Sequence, residues 1–316
     1  MKVLITGGAG FIGSHLAEAF CLRGDAVTVI DNLRSGKLEN LVTAQQTGNL
    51  QFVQDDVLTA DLDKLLVGFD LVYHQAAIPS VAQSVADPVG SNRFNLDCTL
   101  RVLTSARTAN VGRVVFASSA AVYGNTEVEC NTEDQAVHPL SPYALQKYAS
   151  ERYTQLFSHL FGLDTVALRY FNVFGPRQDP TSPYSGVISR FCLNALQGKP
   201  LSVYGDGQQT RDFVFVKNVV NANILAGTAP RTAVAGKVFN VATQQRTSLL
   251  ELIAQIQKFV DSAIITEFKP AAAGDIRHSL ANIQAITVAT GYLPTYNLAS
   301  GLKETMDWYR RELNRQ

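Results

Sequence analysis

Charge, cysteine and long apolar runs are all in short supply in this sequence. Of 316 residues only 17% are Asp, Glu, Lys or Arg, and 27 basic residues balance 27 acidic ones. A balanced charge leaves no net field to draw in nucleic acid or an anionic membrane, so any phosphate site has to be a local pocket. Cys21, Cys98, Cys130 and Cys192 lie far apart without a CxxC pair, which in a chain this long points to free thiols in a reducing compartment. The five histidines show no HExxH and no paired-ligand spacing, so no metal is expected. No stretch reaches the roughly 18 uninterrupted apolar residues that a spanning helix needs. The apolar start MKVLI is interrupted by glycines after Thr6, which argues against a signal peptide. These absences leave a soluble cytoplasmic protein as the expectation.

What the chain does have is hydrophobic residues, 46% of the total, enough for a large core in one domain or in two that share an interface. In the first half, short β-rich runs at 2–6, 26–30, 50–53, 71–74, 113–117 and 165–170 alternate with helical patterns such as 14–23. That alternation predicts stacked βαβ units, and continuously apolar runs such as VLI and RVVFA suit a parallel sheet covered by helices on both faces. The expected fold is α/β: a doubly wound parallel sheet of the Rossmann type with a second, smaller substrate-binding α/β domain. The boundary falls at Asn172, with 1–172 as the dinucleotide-binding part and 173–316 as the smaller one. Runs at 212–216 and 237–241 again read as sheet strands, so the chain is expected to re-enter the first domain there. Helices near 187–197, 249–260, 283–289 and 302–314 complete the smaller part.

Thr6-Gly7-Gly8-Ala9-Gly10-Phe11-Ile12-Gly13 follows the first strand and opens the first helix. It fits GxGxxG through Gly8, Gly10 and Gly13, and GxxGxxG through Gly7, Gly10 and Gly13. Glycines at these points permit a tight turn and let backbone N–H groups close on a pyrophosphate at the positive end of the helix. Alone the motif is weak, and a glycine-rich turn without a ligand is the plain alternative. It gains force from Asp31 at the end of the second strand, about 20 residues on, where a carboxylate accepts hydrogen bonds from a ribose 2′-OH and repels a 2′-phosphate. NAD is therefore expected in preference to NADP. Asp56-Val57 and Gln75-Ala76-Ala77 follow the third and fourth strands, at edges where such sheets bind ligands.

Ser118 and Ser119 close the run at 113–117 on that same edge. In SPYALQK, Ser141 reads as an N-cap and Pro142 as a first-turn proline, so Tyr143 and Lys147 leave the new helix from one face. The pairing has an electrostatic use. A free phenol titrates near pH 10, and bringing it to about 7 takes roughly 4 kcal/mol of preferential phenolate stabilisation, at about 1.4 kcal/mol per unit. A neighbouring ammonium and a positive nicotinamide are the expected sources. Tyr and Lys at this spacing also occur on ordinary solvated helix faces; the glycine loop and the strand-end serine favour chemistry.

Together, TGGAGFIG, Asp31-Asn32, FASSAAVYG, YALQK and LRYFNVFGPRQ resemble the extended short-chain dehydrogenase/reductase family, specifically its nucleotide-sugar 4-epimerases. YGDGQQTRDFVFVKNV and AGDIRHSLANI resemble the nucleotide-sugar-binding portions of those enzymes, so the resemblance covers nearly the whole chain. It implies tightly held NAD contacted by Gly7, Gly10, Phe11, Ile12, Gly13, Asp31, Asn32, Asp56, Val57, Gln75, Ala76, Ala77, Asn95, Tyr143, Lys147 and Tyr170. It implies Tyr143 as general base on the sugar 4-OH, Ser119 steadying the oxygen that changes charge, and Lys147 tuning the tyrosine. The 4-keto sugar would turn over in the pocket and be reduced on its other face.

For the UDP-sugar the resemblance implies Ser80, Ser119, Tyr143, Asn172, Val187, Tyr204, Arg211, Asp275 and Ser279, with Arg211 on the diphosphate. Sugar dehydratases of the family carry an acidic pair just after the Ser/Thr, where this chain has Ala120 and Ala121. Epimerisation is the simplest chemistry left. Ser279 matches a gatekeeper that is a large tyrosine in many epimerases. A serine there implies room for a 2-acetamido group, and so UDP-GlcNAc/UDP-GalNAc alongside UDP-Glc/UDP-Gal, unless it is only a packing or surface serine. Ala272 stands where relatives commonly carry a diphosphate-gripping arginine; Lys269 and Arg277 are the available substitutes. A UDP-glucuronate 4-epimerase, another nucleotide-sugar oxidoreductase of the fold, and a catalytically silent NAD-binding regulator stay open. A homodimer is implied, formed through the helices after Val89 and after Pro142.

Overall fold

The computed structural model describes residues 1–126, 128–180, 186–271 and 277–315. Its strands follow in chain order as β1 (Lys2–Thr6), β2 (Ala26–Asp31), β3 (Leu50–Gln54), β4 (Leu71–His74), β5 (Arg113–Ser119), β6 (Thr165–Tyr170), β7 (Asn172–Phe174), β8 (Leu201–Tyr204), β9 (Thr210–Arg211), β10 (Phe213–Phe215), β11 (Lys237–Val241), β12 (Thr247–Ser248) and β13 (Thr266–Lys269). Seven of them make one sheet in the order β11-β6-β5-β4-β1-β2-β3. Every pair in it is parallel. The strand order reverses between β1 and β4, which opens a crevice at their C-terminal edges.

The helices are α1 (Phe11–Leu22), α2 (Val42–Gln45), α3 (Leu62–Leu65), α4 (Val81–Ala86), α5 (Pro88–Asn92), α6 (Cys98–Thr108), α7 (Pro142–Phe161), α8 (Val187–Leu196), α9 (Val216–Thr228), α10 (Arg231–Val234), α11 (Leu249–Gln257), α12 (Gln284–Thr290) and α13 (Leu298–Leu313). All residues of β4 and β6 are buried, as expected for strands covered on both faces. One core gathers residues of α1 and α9 on one face of the sheet, and a second gathers residues of α3 and α6 on the other. A third core is built from residues of α8, β8, α11 and α13.

β11 is the edge strand beside β6. The run at 212–216 goes elsewhere: β10 pairs with β7 in a separate two-stranded ribbon, because β7 leaves the main sheet directly after Tyr170 and takes β10 with it. α7 begins as its local sequence dictates. Ser141 accepts from the Ala144 N–H, Pro142 occupies the first turn, and Gly162 in a left-handed conformation ends the helix. Among the described residues, no helix is long and apolar enough to cross a membrane.

Candidate active site

At the end of β1 the chain turns through Gly7, whose φ of +66° lies in the region that favours glycine. A Cβ there would stand 2.7 Å from the backbone nitrogen of Ala76, and a Cβ on Gly13 would stand 2.3 Å from the Gly7 carbonyl oxygen. The loop is therefore pressed between the end of β4 and the first turn of α1. Gly10 is the N-cap of α1, and the first turn, with Phe11 and Ile12, carries no acidic residue. The first N–H groups of a helix lack acceptors within it, so these amides and the helix dipole suit a pyrophosphate. Gly8 serves packing instead, since a Cβ would strike the Val29 side chain at 2.6 Å.

The loop is tied to Asp31 by a hydrogen bond from the Ala9 N–H to Oδ2 at 3.0 Å, and Leu33 donates to Oδ1 at 2.8 Å. Burial pushes the Asp31 carboxyl up from its ordinary value, while these two N–H bonds pull it down. Each oxygen keeps a further lone pair for a ribose hydroxyl. Asn32 donates from Nδ2 to Asp56 Oδ2 at 2.9 Å, which joins the ends of β2 and β3 beside the buried Val57. After β4, Gln75 donates to the Tyr170 hydroxyl at 3.0 Å, Tyr170 donates to Asn223 Oδ1 at 2.8 Å, and the Ala76 N–H reaches Thr6 Oγ1 at 3.2 Å, with Ala77 next in line. Asn95 is different. Its side chain is buried, accepts from the Ile78 N–H at 2.8 Å and donates to Gln146 Oε1 at 2.8 Å. It therefore holds the segment after β4 against α7. The fit to a dinucleotide rests on the cradle that added Cβ atoms would fill and on a carboxylate at the end of β2.

Ser119 ends β5, its Oγ accepts from the Ala121 N–H at 3.2 Å, and its hydroxyl lies near enough to the Tyr143 phenol to act on its titration. The Tyr143 backbone N–H donates to Ser84 Oγ at 3.0 Å. Lys147 Nζ donates to the Ala117 carbonyl at 2.8 Å and lies 5.0 Å from the centroid of the Phe116 ring. α7 thus delivers both side chains to the end of β5, and both are buried. The sequence led us to expect an ammonium that lowers the phenol. Instead, burial pushes the Tyr143 phenol up, opposed by the nearby Ser119 hydroxyl, and lowers Lys147 to about 8. The ammonium is aimed at the β5 backbone, and desolvation dominates both groups. Below them a buried chain runs from Thr6 Oγ1 through His74 to Thr99 Oγ1, at 2.7 and 3.0 Å. Burial lowers His74 to about 3, so it is neutral there.

Among the residues expected to hold the sugar nucleotide, Asn172 Nδ2 donates to the Asp212 carbonyl at 3.1 Å, and the Ser279 N–H donates to the Thr210 carbonyl at 3.1 Å. Asn172, Arg211 and Ser279 therefore share one backbone neighbourhood around β9. Arg211 donates to the Thr210 carbonyl at 2.9 Å. Val187 is the first residue of α8, and Tyr204 ends β8 with its side chain partly exposed. Ser80 is spent locally: it is the N-cap of α4, buried, with Oγ accepting from the Gln83 N–H at 2.9 Å. Arg277 makes a bidentate pair with Asp206 at 2.8 and 2.9 Å. Asp275 and Ala272 lie outside the described residues.

Three residues escaped the sequence reading. Asp212 is fully buried and accepts from the N–H groups of Thr243 and Gln244 and from the Thr243 hydroxyl, fastening β10 to the segment after β11. Ser84 holds the Tyr143 N–H, and nothing local to either residue announces it. Glu151 could have been found, because it lies one helical turn beyond Lys147 on the same face.

A model of the NAD dependent epimerase/dehydratase family matches residues 3–242. The chain is 38% identical over 315 residues to the UDP-glucose 4-epimerase of Mycolicibacterium smegmatis, with 99% of each covered. Among solved structures it is similar to the UDP-N-acetylglucosamine 4-epimerase of Methanobrevibacter ruminantium in complex with UDP-N-acetylmuramic acid, at 40% identity, a TM-score of 0.94 and 98% of each chain. It is also similar to the UDP-glucose 4-epimerase of Thermotoga maritima with UDP-glucose, at 35% identity and a TM-score of 0.91, covering 99% of this chain and 100% of that one.

Proposed function

We propose a function from one premise: the chain belongs to the NAD dependent epimerase/dehydratase family. It is a UDP-hexose 4-epimerase, interconverting UDP-glucose with UDP-galactose and UDP-GlcNAc with UDP-GalNAc. The observation that carries the reading is the joint packing of Ser119, Tyr143 and Lys147 at the same sheet edge as the glycine cradle. Bound NAD supplies the two-electron oxidation of the sugar carbon and its reversal and, when oxidised, the positive charge that a buried phenol needs to release its proton.

The amides of Phe11, Ile12 and Gly13 would hold the pyrophosphate, while Gly7 and Gly10, whose N–H groups go to the Ile30 and Gly7 carbonyls, would let it approach the backbone closely. Asp31 would hold the ribose, and Asn32, Asp56 and Val57 the adenine end. Gln75, Ala76, Ala77, Tyr170 and Lys147 face the nicotinamide end, with Asn95 behind them. Tyr143 takes the proton of the sugar 4-OH and returns it, so no proton is lost over a cycle. Ser119 donates to the same oxygen as its charge changes. Lys147 orients the tyrosine's surroundings through the Ala117 carbonyl. No carboxylate follows Ser119, where Ala120 and Ala121 stand, so elimination of water has no acid or base at that point. Asn172, Val187, Tyr204 and Arg211 bind the UDP moiety, and the small Ser279 leaves space for the acetamido group. We further propose that the protein works in the cytoplasm as a homodimer. Apolar Val85, Val89, Leu145 and Leu160, exposed on α4, α5 and α7, support that pairing.

Purified protein given UDP-glucose, UDP-GlcNAc or UDP-glucuronate without added NAD tests the reading, with products identified by NMR. We expect 4-epimers of the first two. Conversion of UDP-glucuronate alone would move the reading to a uronate epimerase, and a strict need for stoichiometric external NAD(H) would end it.

A further inference from the structure

Glu151 and Arg169 have no part in the chemistry above, yet they lie buried beside it, with side chains 1% and 4% exposed. Arg169 donates from Nε to Glu151 Oε2 at 2.9 Å and from a terminal nitrogen to Oε1 at 2.6 Å, a bidentate fork. Oε2 also accepts from the Ser118 hydroxyl at 2.9 Å. The Arg169 guanidinium sits 4.7 Å from the centroid of the Tyr123 ring, and Tyr123 donates to Asn240 Oδ1 at 2.6 Å, so the fork cannot swing freely.

The placement of the three groups carries the argument. Along α7, Tyr143, Lys147 and Glu151 stand one turn apart on a single face. Ser118 immediately precedes Ser119 in β5, and Arg169 immediately precedes Tyr170, which Gln75 holds. One carboxylate therefore ties the helix bearing the base to the strand bearing the serine and to the strand lining the cofactor side. Apolar packing tolerates small slides of a helix, losing uniqueness of geometry before stability. A two-pronged ion pair is directional and allows one arrangement.

We propose that Glu151 is a positioning residue. With Ser118 and Arg169 it fixes the rotation of α7 and its slide along β5. It thereby sets the Ser119–Tyr143 contact and the reach of Lys147 to the Ala117 carbonyl. The inference rests on the reading of Tyr143 as the base.

The test compares Glu151→Gln with the paired variant Glu151→Met/Arg169→Met, both as NAD-loaded protein. Removing one partner of a buried pair lowers Tm, whereas an apolar pair of similar volume restores or raises it. The paired variant is expected to melt at or above the wild-type temperature and keep its NAD. Its kcat is nevertheless expected to fall about 100-fold, the loss that a misplacement of about 1 Å brings. KM should change by less than about threefold, since binding contacts are intact. Hydrogen exchange of the amides at 143–147 should speed up in the paired variant while β1 and β4 stay protected. Wild-type kcat and wild-type exchange in a variant with restored Tm would overturn the proposal and leave the pair a purely structural role. Should the paired variant not fold, Glu151→Gln is judged on the same kcat and exchange readings. Exchange needs no substrate, so an inactive wild type would sink the epimerase reading while the positioning role is decided on the amides.

Discussion

Gly13→Ala is the substitution that asks most sharply whether the glycine loop is a pyrophosphate cradle. The new methyl would stand 2.3 Å from the Gly7 carbonyl oxygen, and ordinary contact begins at 3.4 Å, so the two must part by about 1 Å. Gly7 has little room to yield. It is already close-packed on Ala76, its N–H is bonded to the Ile30 carbonyl at 2.9 Å, and its carbonyl accepts from the Gly10 N–H at 3.2 Å. The displacement falls on the first turn of α1 and on the amides offered to the phosphates. Losing one charge-assisted hydrogen bond costs about 1.5–3 kcal/mol, which is about 10- to 100-fold in affinity. Overpacking itself costs about 1–3 kcal/mol of stability. The assay is the NAD content per purified chain, followed by calorimetric titration of stripped protein with NAD. Gly8→Ala is the control, because its methyl meets the Val29 side chain rather than the loop carbonyl and should cost stability more than affinity. If Gly13→Ala keeps its full complement of NAD and its wild-type Kd, the amides of α1 do not hold the pyrophosphate and the reasoning fails.

Tyr143→Phe removes the proton acceptor and leaves the cradle intact, so turnover should fall by about 10²- to 10⁴-fold with NAD content unchanged; loss of the cofactor as well would show that the two roles are not separable. Lys147 titrates at about 8 in the folded chain against an ordinary 10.5, and the sign follows from proton counts. Between those values the unfolded state holds more protons, so wild-type stability rises with pH across that window, and below it the full cost of burying the charge remains. Lys147→Met should therefore be inactive yet more stable at pH 7, by up to about 3 kcal/mol at about 1.4 kcal/mol per unit. That advantage should shrink between pH 8 and 10.5; urea melts that show a less stable variant at pH 7 would contradict this. Ser279→Tyr should suppress turnover of UDP-GlcNAc and spare UDP-glucose, and equal loss of both would remove Ser279 from the specificity argument.

Much of this protein was written locally and could be read locally. The apolar runs predicted β1, β2, β4, β5 and β6 because a strand buried on both faces has no polar side to alternate with. β3, at the sheet edge, was legible from a short run that is only half-buried. SPYALQK foretold the start of α7 and the shared face of Tyr143 and Lys147, because caps and i, i+4 spacing involve only neighbouring residues. Asp31 was legible because it stands at the end of its own strand.

Other features depend on which distant segments meet. Only the fold brings Ser84 to the Tyr143 amide across 59 residues, and only the fold gives β10 to β7 rather than to the main sheet. Ser80 resembles a substrate residue in the sequence, yet tertiary packing leaves it buried as the cap of α4. The direction in which Tyr143 shifts could not be read from its spacing to Lys147. That direction is set by how much water the surrounding chain removes from both groups, and a linear sequence carries spacing but not solvent exposure.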